Sequence, residues 1–376
     1  MTSIHGTFDP RFQPVRDEFI RNFRERDDVG ASVAISVDGE MVVDLWGGYR
    51  NAEKTLPWEE NTIVNVYSST KTMAAMSLLV MADRGDVDLH APVSRYWPEF
   101  AQNGKENVEV RHFLSHSAGL SGLDQKVSAE DVYDWDGMCD RLARQKPWWE
   151  PGSQSGYHAL TQGFLIGEVV RRVSGRSIGQ YFRTEIAEPT GADFFIGTPE
   201  SEFQRIGDLI PPPAGPASGA SQDSIAARTF ASPAVDARDS RTAGWRKAEI
   251  PAANGHGNAR SIVRAQTAMA NGGVAFGKRI LSAAGAARIF DVQTSGMDLV
   301  LGAPITFGMG YGLSTAEFPM GPNEHIGYWG GWGGSTVVVD QDARMCVSYV
   351  MNRMEGNLMG DPRGFVLLQA AYQSLG

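Results

Sequence analysis

Residues 62–85 read TIVNVYSSTKTMAAMSLLVMADRG, and the rest of the chain is organised around them. Residues 62–67 are β-branched or aromatic at most positions and predict a strand. Residues 68–84 contain neither Gly nor Pro and are followed by Gly85, which predicts a helix with a C-terminal stop. Met73, Ala74, Ala75, Met76, Leu78, Leu79, Val80, Met81 and Ala82 make that helix apolar on nearly every face, so it belongs inside the protein. Ser68 then stands at a helix start, and Lys71 lies one turn on, on the same face. This is the S-x-x-K pattern. A serine hydroxyl needs a base or a nearby cation to act as a nucleophile. A buried lysine with a lowered pKa can take its proton. The helix N-terminus adds N–H groups and partial positive charge for a developing oxyanion. The same residues also suit a capping serine and an outward-reaching lysine; the strand-to-buried-helix junction favours the catalytic reading.

The chain has 376 residues, 42% hydrophobic and 21% charged, which is ordinary globular composition for one large domain or two intimate ones. Its net charge of −10, with no basic cluster, argues against a nucleic-acid partner. Cys139 and Cys346 stand far apart and outside any C-x-x-C, so neither a disulfide framework nor a cysteine-based zinc site is expected. No basic-then-apolar leader opens the sequence and no apolar run approaches transmembrane length, so a cytoplasmic protein without a membrane partner is expected.

Residues 11–26 carry Phe12, Val15, Phe19, Ile20 and Phe23 at helical spacing, which predicts an amphipathic N-terminal helix. Residues 31–37 and 40–46 predict a hairpin around Asp38-Gly39. Short helices are predicted at 108–116, 129–145, 158–174 and 177–187, without a strand between them. Residues 207–258 are rich in Pro, Ala, Gly and Ser, with Pro211-Pro212-Pro213 near their start, and read as a long functional loop or linker. A helix is predicted at 259–271, an antiparallel pair at 335–340 and 344–352, and a C-terminal helix at 361–375. The expected fold is therefore α+β, an antiparallel sheet flanked by helices. Residues 1–90 and 255–376 form one discontinuous domain, and 91–254 an inserted helical one.

Other stretches bear on Ser68 and Lys71. Tyr157 follows a Pro151-Gly152 turn just before a helix, and a phenol beside a cation can act as a general base. Gly327-Tyr328-Trp329-Gly330-Gly331-Trp332-Gly333-Gly334-Ser335 leads into a strand, and such glycines let a ligand approach the backbone. Ser115-His116-Ser117-Ala118-Gly119 approaches the G-x-S-x-G elbow but has Ser115 in place of the first glycine and no suitable strand before it. Ser117 is read as a decoy and His116 as structural. His112 and His116 are four apart, but no Glu follows His112, so no metal site is expected.

In this order these elements resemble the serine β-lactamase and penicillin-binding-protein superfamily, and most nearly its class C-like branch of family VIII carboxylesterases. The resemblance spans nearly the whole chain: the hairpin, Ser68-x-x-Lys71, residues 114–120, Pro151-Gly152 before Tyr157, the helix ending at 169–175, and the Gly-rich start at 329–335. It implies a β-lactamase-like fold with the site in a cleft between sheet and helical domains. It also implies Ser68 as acylated nucleophile, Lys71 as its activating partner and Tyr157 as the tyrosine of a Y-x-N element. Trp329, Gly330 and Gly331 take the place of K-T-G as substrate-binding residues, and the N–H groups of Ser68 and Trp332 make the oxyanion hole.

Two departures matter. Ala159 stands where Y-x-N has its Asn, and Trp329 where K-T-G has its Lys. The resemblance then implies a carboxylesterase acting on small-molecule esters with apolar groups, without metal or cofactor, and with at most weak β-lactam hydrolysis. A β-lactamase or D-amino-acid peptidase, an acyltransferase, and a non-catalytic binding module are the alternatives. Whether Lys71 or Tyr157 is the base stays open, as does the oligomeric state. Trp148, Trp149 and Trp245 are candidates to line the cleft with the 207–258 loop.

Overall fold

The computed structural model describes residues 2–212, 221, 223–358 and 360–376. Pro213 and the other residues of 213–220, with Gln222, which belong to the predicted 207–258 loop, lie outside the described residues. Nine strands form one sheet, in the spatial order Ile4–Phe8, Glu40–Gly48, Gly30–Val37, Met345–Met351, Thr336–Asp340, Ile326–Gly330, Gly312–Leu313, Pro304–Phe307 and Thr294–Met297. Every neighbouring pair is antiparallel. The N-terminal hairpin thus docks on the C-terminal one, with Ile35 opposite Val347.

All seven residues of Met345–Met351 are buried, because both faces of this central strand are covered. Successive side chains of a strand point to opposite faces. On one face lies the helix Ala259–Ala270, tied by Ser36 Oγ to Thr267 Oγ1 at 2.7 Å and by the Ala259 N–H to Ser32 Oγ at 3.1 Å. On the other lie the helices Gln13–Glu25 and Pro362–Leu375, packed on each other. There Arg363, 2% exposed, donates to Asp28 at 2.8 Å and Asp361 at 2.6 Å, and Tyr349 also donates to Asp28.

The central helix is Thr70–Asp83, and every residue from Thr70 to Ala82 is buried. It packs against the helices Thr161–Ser174, Ile178–Phe182, Ala259–Ala270 and Ala283–Ala287. The strand predicted over 62–67 is only Val64–Asn65, paired with His256–Gly257. Beyond it the chain turns sharply, since Tyr67 adopts φ +46° and Tyr67–Ser69 form a 3-10 turn. The predicted helix at 108–116 contracts to Arg111–Leu114, and that at 177–187 breaks into Ile178–Phe182 and a wider turn at Arg183–Ala187. The loop at 207–258 is not structureless: its described part holds the helices Ile225–Ala231 and Ala243–Lys247, with side-chain caps from Ser224 and Thr242. Five strands of the sheet, Ile4–Phe8, the three between 294 and 313, and Ile326–Gly330, escaped the sequence reading because they are short and show little alternation.

Leu79 is fully buried in the central helix. Leu79→Ala is expected to lower the unfolding free energy by about 2–5 kcal/mol, measured by urea denaturation; a loss below about 1 kcal/mol would mean the helix is not packed as described.

Candidate active site

Ser68 sits in the turn that opens the central helix, partly exposed between buried neighbours. A positive φ is unusual for a bulky residue and costs on the order of 1–3 kcal/mol. Tyr67 is held there by packing between Trp332 and Trp245, with ring centroids 5.2 and 6.2 Å away. Thr70 Oγ1 ties the turn by donating to the Tyr67 carbonyl and accepting from the Gly255 N–H. The result pushes the Ser68 side chain away from the helix and into an open cleft.

Lys71 Nζ lies 3.2 Å from Ser68 Oγ, 2.7 Å from the Ala159 carbonyl and 2.9 Å from the Ala252 carbonyl. The residue is 2% exposed, and no carboxylate pairs with it among the described residues. Burial alone drives its pKa well below the ordinary lysine value. A neutral amine can meet these partners, with two N–H groups for the two carbonyls and a lone pair left for the Ser68 hydroxyl. The Tyr157 phenol donates to Ser68 Oγ at 2.6 Å, and Lys71 Nζ stands 4.7 Å from the centre of its ring. Burial pushes the phenol pKa up, so Tyr157 rests protonated.

The 330–335 turn docks directly on the Ser68 turn. Ser335 Oγ donates to the Val66 carbonyl at 2.7 Å and meets Ser69 Oγ at 2.9 Å. A Cβ on Gly331 would lie 2.1 Å from the same Val66 oxygen, so only glycine permits this approach. Gly334, at φ +124°, faces Asp361, and Arg363 Nη2 donates to the Gly333 carbonyl at 3.1 Å. The buried charges under the sheet thereby brace the turn. Among the described residues, neither the Ser68 nor the Trp332 main-chain N–H has a protein acceptor, and both residues line the same cleft. Ser335, Ser69 and Arg363 were not singled out from sequence, since a serine or arginine gives no signal of what it will brace.

Tyr157 is set by its surroundings. Its main-chain N–H donates to Asp298 Oδ1 at 3.0 Å, and its ring lies 4.9 Å from His116 and 5.5 Å from Trp329. His116 accepts from the His158 N–H, and His158 Nε2 accepts from the Leu120 N–H, so both rings pin the 116–120 loop. Burial holds His116 far below its ordinary pKa and His158 down to about 3. Among the described residues Ser117 Oγ bonds only to Ser115 Oγ, with no base beside it. His112, with its pKa pushed down to about 4 by burial, accepts from the Glu109 N–H. No group of three or more metal-ligating side chains occurs among the described residues.

The cleft beside Ser68 has a volume of about 170 Å³. Leu160, Phe230, Pro233, Val235, Trp332 and Leu358 give it apolar walls, and among the described residues no charged one lines it. Trp329, Gly330 and Gly331 line an adjoining apolar cavity of about 40 Å³ that shares Leu358 with the cleft. Trp148, Trp149 and Trp245 do not line the cleft. Trp148 bonds Asp124 and stacks under Arg228, Trp149 bonds the Gln154 carbonyl, and Trp245 is buried with its N–H on Asn65. Each indole has found a partner elsewhere, and the 229–235 segment takes the wall instead.

A model of the Beta-lactamase family matches residues 18–372. Among curated relatives, the Esterase/beta-lactamase LipL of Mycobacterium tuberculosis is 34% identical, covering 99% of this chain and 89% of that protein. Esterase EstB of Burkholderia gladioli is 29% identical over 52% of this chain and 58% of its own. Among solved structures, a family VIII carboxylesterase superposes with a TM-score of 0.94 at 42% identity, covering 99% of this chain and all of that one. A penicillin-binding protein homolog from Caulobacter crescentus gives 0.93 at 38% identity, with 99% and 100% covered.

Gly331→Ala is expected to cost about 1–3 kcal/mol in stability by forcing the turn off Val66. It should also slow labelling of Ser68 by a fluorophosphonate probe about tenfold or more through misplacement. Labelling at the wild-type rate would separate the turn from the site.

Proposed function

The chain belongs to the beta-lactamase family, and from that premise we propose that it is a serine carboxylesterase cleaving small esters with apolar groups through a Ser68 acyl-enzyme. The observation that carries the reading is Ser68 Oγ held between Lys71 Nζ at 3.2 Å and the Tyr157 phenol at 2.6 Å, opening on an uncharged apolar cleft. In the proposed reaction Ser68 Oγ attacks the ester carbonyl as its proton passes to neutral Lys71. The carbonyl oxygen becomes an oxyanion between the N–H groups of Ser68 and Trp332, each worth about 3 kcal/mol if removed. The C–O bond to the alcohol breaks, Tyr157 gives its proton to the leaving oxygen, and the Lys71 ammonium restores it. Water then attacks the acyl-enzyme with the proton transfers reversed. Lys71 rather than Tyr157 is the first proton acceptor in this scheme, because burial favours the neutral form of both groups and only the neutral amine is a base.

The cleft also weighs against β-lactams and peptides as main substrates. Both present a carboxylate, and no cation lines the cleft to receive it. The nucleophile, base and oxyanion donors would still accept an activated lactam weakly, and the relative LipL carries both terms in its name.

Hydrolysis of a short-chain p-nitrophenyl ester should fall by at least about 10³-fold in Ser68→Ala, the scale of losing a nucleophile. Activity surviving in Ser68→Ala would overturn the assignment. A chromogenic cephalosporin turned over faster than the ester would put the lactamase reading first. Ester hydrolysis by wild type should also fall on acidification as Lys71 gains a proton. Tyr157→Phe should keep that acid limb at a reduced rate; its disappearance would make the phenol, not the amine, the base.

A further inference from the structure

The turn between the edge strand Thr294–Met297 and its neighbour Pro304–Phe307 carries a carboxylate in an unusual place. Asp298 is 1% exposed. Its Oδ1 accepts from the Val300 N–H at 2.9 Å and the Leu301 N–H at 2.8 Å, within its own turn. The same oxygen accepts from the Tyr157 N–H at 3.0 Å, 141 positions away in sequence. The contact is doubled by the Leu299 N–H, which donates to the Ser155 carbonyl at 3.0 Å. Asp298 Oδ2 has no hydrogen-bond partner among the described residues. Shaping a turn does not require this. An exposed Asp or Asn makes the same local bonds without the cost of burying an unsatisfied oxygen. The side chain that gains from the arrangement is the phenol, whose main chain Asp298 grips.

We propose that Asp298 is the positioning residue for Tyr157: it holds the 155–157 segment so that the phenol reaches Ser68 Oγ. This rests on the esterase reading above, since it acts through Tyr157. The charged and titratable groups facing the phenol are Lys71 from the central helix, His116 from the 114–120 loop, and Asp298 from the edge turn. Asp298 is the anion of the set, and its field also favours the protonated phenol that would serve the leaving group.

A double-mutant cycle on the full chain tests this, with the second-order rate of Ser68 modification by a fluorophosphonate probe as readout. Asp298→Ala should slow modification about 30-fold in the wild-type background, the scale of an ångström-sized misplacement. In the Tyr157→Phe background the same change should cost less than about threefold, because the residue it positions has lost its hydroxyl. Equal losses in both backgrounds, or no loss in the first, would overturn the proposal. Asp298→Asn keeps the Oδ1 acceptor and removes the charge. It should retain a rate within about fivefold of wild type, because the main-chain grip is kept. That variant decides the matter if Asp298→Ala does not fold: a loss of about 30-fold or more in Asp298→Asn, which keeps the Oδ1 acceptor, would overturn the proposal. A wild type that is not labelled at all would overturn it together with the reading it rests on. A labelled wild type with equal losses in both backgrounds would remove Asp298 alone.

Discussion

An amine with no counter-ion, buried beside a serine, is the constraint from which the rest of the site follows. Lys71 Nζ has Ser68 Oγ, the Ala159 carbonyl and the Ala252 carbonyl within 3.2 Å. A charged ammonium in that position would need a carboxylate to offset its desolvation. None is present among the described residues, so burial lowers the pKa and favours the neutral form. Three segments far apart in sequence must meet to make the contact: the central helix, the stretch after Tyr157, and the chain entering the His256–Gly257 strand. The helix supplies the amine only because it is apolar all round and therefore central. A helix with one wet face would have let a lysine at this position reach water.

The second constraint is the strained turn at Tyr67. Positive φ at a bulky residue persists only where packing over-determines it. Here Trp245 and Trp332 hold the ring, and Ser335 holds the Val66 carbonyl on the other side. The Gly-rich turn is in its place because Gly331 can touch that carbonyl and Arg363 holds the Gly333 carbonyl from below. Strain at the serine, glycine at the partner turn and a buried ion network under the sheet are thus parts of one mechanical arrangement. It places the unpartnered N–H groups of Ser68 and Trp332 on one cleft.

Much of this was legible in the sequence, and the reasons are physical. A helix with apolar residues on every side announces its own burial, and the Asp38-Gly39 hairpin announces an antiparallel start to the sheet. Ser68, Lys71 and Tyr157, the residues proposed for the chemistry, stood out because nucleophile and base chemistry restricts residue type, and the fold brings their side chains together. Those that hold them did not. Asp298, Ser335 and Arg363 act through main-chain atoms of distant segments, and such contacts leave no local pattern. The tryptophans misled for a related reason. An indole satisfies burial wherever it has one partner, as Trp245 does on Asn65, so its type does not predict which cavity it faces. The cleft wall fell instead to the short helix Ile225–Ala231 and the residues after it, which composition alone presents as loop.

The division between side-chain and main-chain roles also explains how recognition can change while the reacting groups stay. The Asn missing at position 159 removes an amide side chain from the cleft, yet the main-chain carbonyl of Ala159 still receives Lys71 at 2.7 Å. The proposed oxyanion donors are likewise main-chain N–H groups. Side-chain identity at 159 and 329 is therefore free to alter what the cleft accepts without disturbing how the serine is activated. At 329, where the resemblance implies a cation, an indole stands packed on the Tyr157 ring and on Phe307. The residue that would have attracted a carboxylate has become part of the wall that orients the phenol. In the proposed reaction, loss of the anion-binding group and firmer support of the proton donor come from the same substitution, which favours neutral esters twice over.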